Sequence, residues 1–314
     1  MLQIKNLISK VIAGYHATVF AYGQTGSGKT FTMEGYKYEE KKENERAGKV
    51  QIAKFGDTGL SLRAINEIFQ QAEAQKKTHT VNISCSFLQI YNEKVFDLLN
   101  AKALKGKSKL HQTGLRIRWS KQDQFTVENL FVFRCNDAQH AIELYNKGIK
   151  NKIVASHNLN HASSRSHAIF TLTIEIIDNS AVDNVIISKL QLVDLAGSER
   201  TSQTGASGLA AKEAIDINKS LFTLRQVITS LAEGSRKKMS LASHIPYRDS
   251  KLTSLLKSSL GGNSYSLMIA CLSPSDAFME ENLSTLNYAM KASYIKNEPT
   301  QNVDPKTKLI IELR

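Results

Sequence analysis

Eight consecutive residues, Gly23-Gln24-Thr25-Gly26-Ser27-Gly28-Lys29-Thr30, carry the densest chemical signal in this chain. They satisfy G-x-x-x-x-G-K-[ST] at every fixed position. Each residue type has a physical task. The glycines let the backbone curl so that successive N–H groups converge on phosphate oxygens. A helix that follows turns its positive N-terminal end to the same anion. Lys29 sets a cation beside the β- and γ-phosphates of a nucleoside triphosphate, and the Thr30 hydroxyl suits magnesium. The flanks agree: Ala17 to Tyr22 reads as a buried strand, and a helical pattern comes after. A glycine-rich turn arising by accident rarely falls between such flanks.

A triphosphate site also needs a carboxylate beside its metal. Leu190-Gln191-Leu192-Val193-Asp194 is an apolar run ending in aspartate, the placement expected of that group on a second strand. Gly197 follows three residues later. A glycine there lets its N–H approach a γ-phosphate, so that the loop registers whether the phosphate is present. Alone, Asp194 would read as a strand-end aspartate; the phosphate loop in the same chain favours the metal role. Ser163-Ser164-Arg165-Ser166-His167 is a third polar cluster, set just before an apolar strand. Its hydroxyls suit magnesium or the orientation of a water, and Arg165 suits pairing with a carboxylate such as Glu199. Taken by itself, the segment is more simply a helix-capping loop.

Positioning these groups takes a sizeable core. With 314 residues, 41% of them hydrophobic, the chain can bury one. A charged fraction of 22%, with no excess of Gly or Pro, excludes a disordered or fibrous protein. The net charge of +12 points to a polyanionic partner without choosing among nucleic acid, membrane and acidic protein. Cys85, Cys135 and Cys271 lack the spacing of a disulfide framework or zinc site and fit a reducing compartment. No apolar run has bilayer length, and the first residues lack a signal peptide's core, so the expected location is the cytoplasm.

Strand and helix patterns interleave along the chain. The first residues read as an amphipathic helix with Leu2, Ile4, Leu7, Ile8, Val11 and Ile12 largely to one side. Further helices are expected at Leu60–Ala74, Asp137–Lys152, Ile215–Leu231, Leu252–Leu260 and Glu280–Ile295. Strands are expected at Thr80–Ile90, Phe125–Phe133 and Leu267–Leu272, with Ile169–Ile177 and Val185–Val193 forming a hairpin across Asp178-Asn179-Ser180. Charged, polar loops are expected at Lys37–Lys49 and Ala101–Lys109. This order favours one α/β domain with helices on both faces of the sheet.

Together the segments resemble the motor domain of the kinesin superfamily. Phe20-Ala21-Tyr22 and the octapeptide resemble its phosphate loop. Asn160-His161-Ala162 through His167 resembles its switch I, and Asp194-Leu195-Ala196-Gly197-Ser198-Glu199-Arg200 its switch II. Ile90-Tyr91-Asn92-Glu93 through Leu99, Ile217-Asn218-Lys219-Ser220-Leu221 and Ile245-Pro246-Tyr247-Arg248 through Thr253 also agree, in the family's order. The resemblance implies a phosphate-loop NTPase fold with a central, mostly parallel sheet flanked by helices on both faces. It implies ATP and Mg²⁺, the microtubule as track, and a cytoskeletal location, with neither nucleic acid nor membrane as partner. By position, Thr30 and Ser163 hold Mg²⁺, with Asp194 near it through water. Lys29 and the Gly197 amide contact the γ-phosphate, Arg165 and Glu199 close the site, and Ser164 helps pass a proton from the attacking water. Arg200 to Leu260 holds ten Lys/Arg against four Asp/Glu, and the resemblance turns Arg236, Lys237, Lys238, Arg248 and Lys251 toward acidic tubulin.

The resemblance divides the chain into a motor domain over residues 1–295 and a neck linker with the start of a neck helix over 296–314, the arrangement of plus-end-directed motors. A dimer would form through a stalk outside this sequence. Family motors carry a segment before this start that contacts the adenine, so a truncated, inactive microtubule-binding module is the alternative. His157 stands where threonine is usual, and Leu62 where proline is common; neither is a chemical group named above. A switch GTPase or nucleic-acid-dependent NTPase is the further rival, but the chain shows no N-K-x-D, helicase set or RNA-binding aromatic pattern.

Overall fold

Ala17–Tyr22 forms strand β1, and all six of its residues are buried. A strand apolar on both faces must lie mid-sheet with layers above and below. A computed structural model describes residues 2–35, 58–100, 113–120, 124–158, 165–199, 209–237, 245–304 and 307; for 153–158, 181–184, 209–218 and 235–237 it describes the backbone alone. The other strands are β2 (His79–Tyr91), β3 (Lys94–Asp97), β4 (Ile117–Trp119), β5 (Phe125–Val127), β6 (Phe133–Cys135), β7 (His167–Asp178), β8 (Ala181–Asp194) and β9 (Tyr265–Ala270). The main sheet runs β3-β2-β7-β8-β1-β9, with β6 paired to β2, while β4 and β5 form a separate pair.

The sheet is mixed, which corrects the expectation of a mostly parallel one. Among the described residues, only β1 pairs in parallel, with β8 and with β9. The β2–β3, β2–β6, β2–β7 and β7–β8 pairs are antiparallel. Tight connections impose this in part. The β7–β8 hairpin turns at Asn179-Ser180, where Asp178 accepts from the Ser180 amide at 2.8 Å. The β2–β3 turn puts Asn92 and Glu93 in the left-handed region, at φ 49° and 52°, as a two-residue hairpin requires.

Helices cover both faces, as expected. On one face lie α1 (Leu2–Ile12), α3 (Leu60–Gln75) and α4 (Ala138–Asn158), with α2 (Lys29–Glu34) beside them. On the other lie α5 (Leu209–Lys237), α6 (Lys251–Leu255) and α7 (Met279–Ser293). Three local expectations change. Leu2 is 77% exposed, so the buried side of α1 begins at Ile4. The strand expected over Phe125–Phe133 breaks at Glu128–Asn129, where Asn129 takes φ 58°. The helix expected over Leu252–Leu260 shortens to α6 plus a 3₁₀ turn at Lys257–Ser259. The loops expected at 37–49 and 101–109 lie outside the described residues.

Two consequences matter for chemistry. The parallel register sets Ala21 opposite Asp194, so β1 and β8 end at one edge of the sheet. In α/β sheets, ligands bind beyond such carboxyl ends. The chain after α7 returns to the opposite edge. There the Asn302 amide donates to Gly14 O, and Asn302 O accepts from the Ile187 amide, both at 2.9 Å.

Candidate active site

The loop after β1 curls as its glycines allow. Gly26 and Gly28 take φ 82° and 94°, and beyond the adjoining backbone no atom of the described residues lies within 4 Å of where a Cβ would stand on either. Their outer side is therefore open to a ligand. Lys29 begins α2; its Nζ is buried and donates to Gln24 O at 2.8 Å. Burial pushes its pKa down, against the pull of Asp194 and Glu199. A lysine so placed gains from an added anion. The Thr30 hydroxyl donates to Asp194 Oδ2 at 2.9 Å. The two segments singled out for the metal thus meet in one place.

The loop after β8 is clamped onto the phosphate loop. The Ser198 amide donates to Gly23 O at 3.0 Å. Glu199 accepts from the Thr25 amide at 2.8 Å and from the Thr25 hydroxyl at 2.5 Å. Gly197 is enclosed by this clamp, since a Cβ there would collide with Thr25 Oγ1 and both Glu199 oxygens. From α5, Arg225 donates to Ser198 O at 2.7 Å and to the Tyr22 hydroxyl at 3.0 Å.

His167 ties the same loop to α5. The Ala196 amide donates to its Nδ1 at 3.0 Å. That fixes the proton on Nε2, which donates to Ser220 Oγ at 2.7 Å. Burial, opposed by Asp194 and aided by Lys29, holds the His167 pKa down at about 3; burial and Lys189 hold that of His16 at about 4. An unfolded histidine protonates near pH 6.5. Below that value the unfolded chain binds more protons than the folded one, so stability falls as pH drops. The loss runs from about pH 6.5 toward about 4 and approaches ~1.4 kcal/mol per pH unit for each histidine. Denaturation midpoints measured across this window are expected to fall, and His16→Gln to flatten the slope; an unchanged slope would refute the assignment for His16.

Lys152 is the site residue that the motifs do not reveal. Its Nζ lies 2.8 Å from Glu34 Oε1, at the end of α2, and 3.0 Å from Asp194 Oδ2. Burial lowers its pKa, but Asp194 and Glu34 together more than offset this, and the net direction is up. One buried ammonium thus joins the phosphate-loop helix, the strand-end carboxylate and α4.

Four buried polar atoms around this centre, Gln24 Oε1, Ser27 Oγ, Ser166 Oγ and Asp194 Oδ1, have no hydrogen-bond partner among the described residues. Such atoms are costly unless something else satisfies them. A metal-bound triphosphate supplies the acceptor and donor sites they lack, so the residues present fit one. Ser163, Ser164, Arg200 and Lys238 lie outside the described residues, and Arg236 and Lys237 are described by backbone alone. Arg165 lies two residues before β7, whose Ala168 pairs with Asp194, so it lies toward the same edge of the sheet. Arg248 lies in the turn before α6 and Lys251 begins that helix: the Arg248 guanidinium is 5.8 Å from the Trp119 ring centre, and the Lys251 amide donates to Glu93 Oε2 at 2.8 Å.

Comparison with known proteins gives concordant results. Residues 2–295 match the family model of the kinesin motor domain. The chain is 42% identical over 300 residues to the chromosome-associated kinesin KIF4 of Xenopus laevis, a match covering 96% of this chain and 23% of that protein. It is 44% identical over 318 residues to the kinesin-like protein Klp98A of Drosophila melanogaster, covering 96% and 23%. The chain therefore spans about a quarter of the length of these relatives. Among solved structures, a fast kinesin superposes with a TM-score of 0.80 at 35% identity, over 96% of this chain and 77% of that one. A KIF14 dimer described with AMP-PNP in complex with a microtubule superposes with a TM-score of 0.82 at 36% identity, over 98% and 80%.

Proposed function

We infer that this chain, which belongs to the kinesin motor family, hydrolyses Mg-ATP on microtubules and couples the hydrolysis to movement. The observation that carries the reading is the hydrogen bond from Thr30 to Asp194, which brings the phosphate loop and the strand-end carboxylate to one centre. Thr30, Asp194 and Ser163 are the groups that would hold magnesium, which when bound neutralises charge on the phosphate oxygens. Gly23 to Gly28 would present backbone amides to the phosphates, and Lys29 a fixed cation. The Gly197 amide would meet the terminal phosphate, Ser164 would help relay the proton of the attacking water, and Arg165 would pair with Glu199.

Coupling follows from the same contacts. A change at Gly197 must move Ala196 and Ser198, which His167 and Arg225 tie to α5. That helix leads toward the basic residues Arg236, Lys237 and Lys238, and with Arg248 and Lys251 these would face acidic tubulin. The segment from residue 296 to 304, held against β8 and Gly14, supports the neck-linker assignment and with it plus-end direction and a cytoskeletal location. Phosphate release from ATP should rise with microtubules, less so as salt is added, and not with duplex DNA. Stimulation by DNA and not by microtubules would overturn the motor reading.

A further inference from the structure

At the start of β1, beside the middle of β8, lies a cavity of about 50 Å³. Lys189 and Gln191, two apart on β8 and so on one face, line it together with His16, Gln124, Lys257 and Ser258. Among the described residues, neither an aspartate nor a glutamate does. Among the described residues, its lining has two lysines and no counter-charge.

Lys189 is the unusual member. Burial alone pushes its pKa down, and among the described residues it makes neither an ion pair nor a hydrogen bond. Its strand requires the position: Ser188 and Leu190 are fully buried on the other face. Lys189 is half-buried, and a partly desolvated ammonium without a partner gains from an added anion. The neighbours are equipped to help. Gln191 Oε1 accepts from Thr18 at 3.3 Å, which leaves its amide group to donate elsewhere. His16 is 8% exposed, and its Nδ1 has no partner. Lys257 is held at 4.0 Å from the Trp119 ring centre, which fixes a second positive charge in the lining. At roughly 10–15 Å³ per water position, the space takes about four waters, or one tetrahedral ion with four oxygens in their place.

We propose that this cavity binds a small tetrahedral oxyanion of the phosphate class, with Lys189 as its principal cation and His16, Gln191 and Ser258 as hydrogen-bond donors. The site is separate from the phosphate loop, since Lys189 precedes Asp194 by five residues of extended strand, roughly 16 Å. It does not depend on the motor reading.

The test uses the full chain saturated with Mg-ADP, so that the phosphate loop is occupied. Thermal unfolding is followed against inorganic phosphate, with chloride and acetate at matched ionic strength. At ten times its dissociation constant, phosphate should raise Tm by about 2 °C beyond chloride. Lys189→Met should remove that difference. Ser258→Asp, which builds a carboxylate into the lining, should raise Tm without phosphate and abolish the further gain. If Lys189→Met does not fold, the Ser258→Asp result decides. An equal rise in wild type and Lys189→Met, no rise at all, or a Ser258→Asp protein that still responds would overturn the site. An equal effect of acetate would overturn the tetrahedral assignment.

Discussion

Gly197→Ala is expected to cut microtubule-stimulated phosphate release by about 100-fold while leaving nucleotide binding largely intact. The added methyl would occupy the space now filled by Thr25 Oγ1 and the Glu199 carboxylate. Those are side-chain ends, so the collision is relieved by swinging Glu199 away and giving up its two bonds to Thr25. The cost to folding is then that of a tight but yielding contact, about 1–3 kcal/mol. Turnover suffers more. The Gly197 amide is displaced from the phosphate loop, and a shift of about 1 Å in a positioning group costs about two orders of magnitude. Because the atoms nearest the methyl are Thr25 Oγ1 and the Glu199 oxygens rather than those of Lys29 or Thr30, the loss should fall on kcat with little change in nucleotide affinity. Single-turnover kinetics and fluorescent-nucleotide titration separate the two. Wild-type turnover, or a lost affinity at normal turnover, would show that Gly197 does not sense the terminal phosphate.

What the sequence made legible was local or periodic. The phosphate loop is contiguous, and its requirement for left-handed backbone at Gly26 and Gly28 is written in the residue types. Asp194 was legible because an apolar run ended on it. The hairpin at Asp178–Ser180 could be read from its turn, but β2 lying between β3 and β7 could not, because strand neighbours far apart in the chain are set by packing. The break at Asn129 was missed because the apolar run on either side masks a turn made without glycine. Leu2 was misplaced for a different reason: it falls at the end of α1, where nothing from the core reaches it.

His167 and Lys152 show the same limit at the site. The imidazole at 167 was visible, but its tie between Ala196 and Ser220 needs the meeting of β7, the loop after β8 and α5. Lys152 looked like one of several basic residues on a polar helix. Its signal was phase: Ala141, Leu144, Tyr145 and Gly148 form the buried stripe of α4, and Lys152 continues it at helical spacing, while Lys147 and Lys150 face outward. A lysine on a core-facing stripe is costly without a partner, and that cost points to carboxylates opposite.

That reasoning sets the expectation for Lys152→Met. The three side chains of the cluster are 6% to 9% exposed, so solvent screens the pair interactions little. Methionine fills similar volume but leaves Glu34 and Asp194 without the ammonium that joins them. Removing one partner of a buried ion pair costs about 3–5 kcal/mol, and the urea midpoint should fall accordingly with an unchanged m-value. The sign with pH is also fixed. Since the folded pKa of Lys152 lies above its ordinary value, its contribution is complete below about pH 10.4 and is lost as pH rises beyond it. The variant should therefore lack that alkaline loss. Glu34→Gln in the same chain should return part of the stability by removing one of the two opposed charges. Magnesium, whose seat is proposed beside the same Asp194, should raise the midpoint of Lys152→Met more than that of the wild type. A variant as stable as wild type, or one indifferent to both the second substitution and the metal, would mean that the carboxylates find their compensation elsewhere, and that Lys152 does not join α2 to β8.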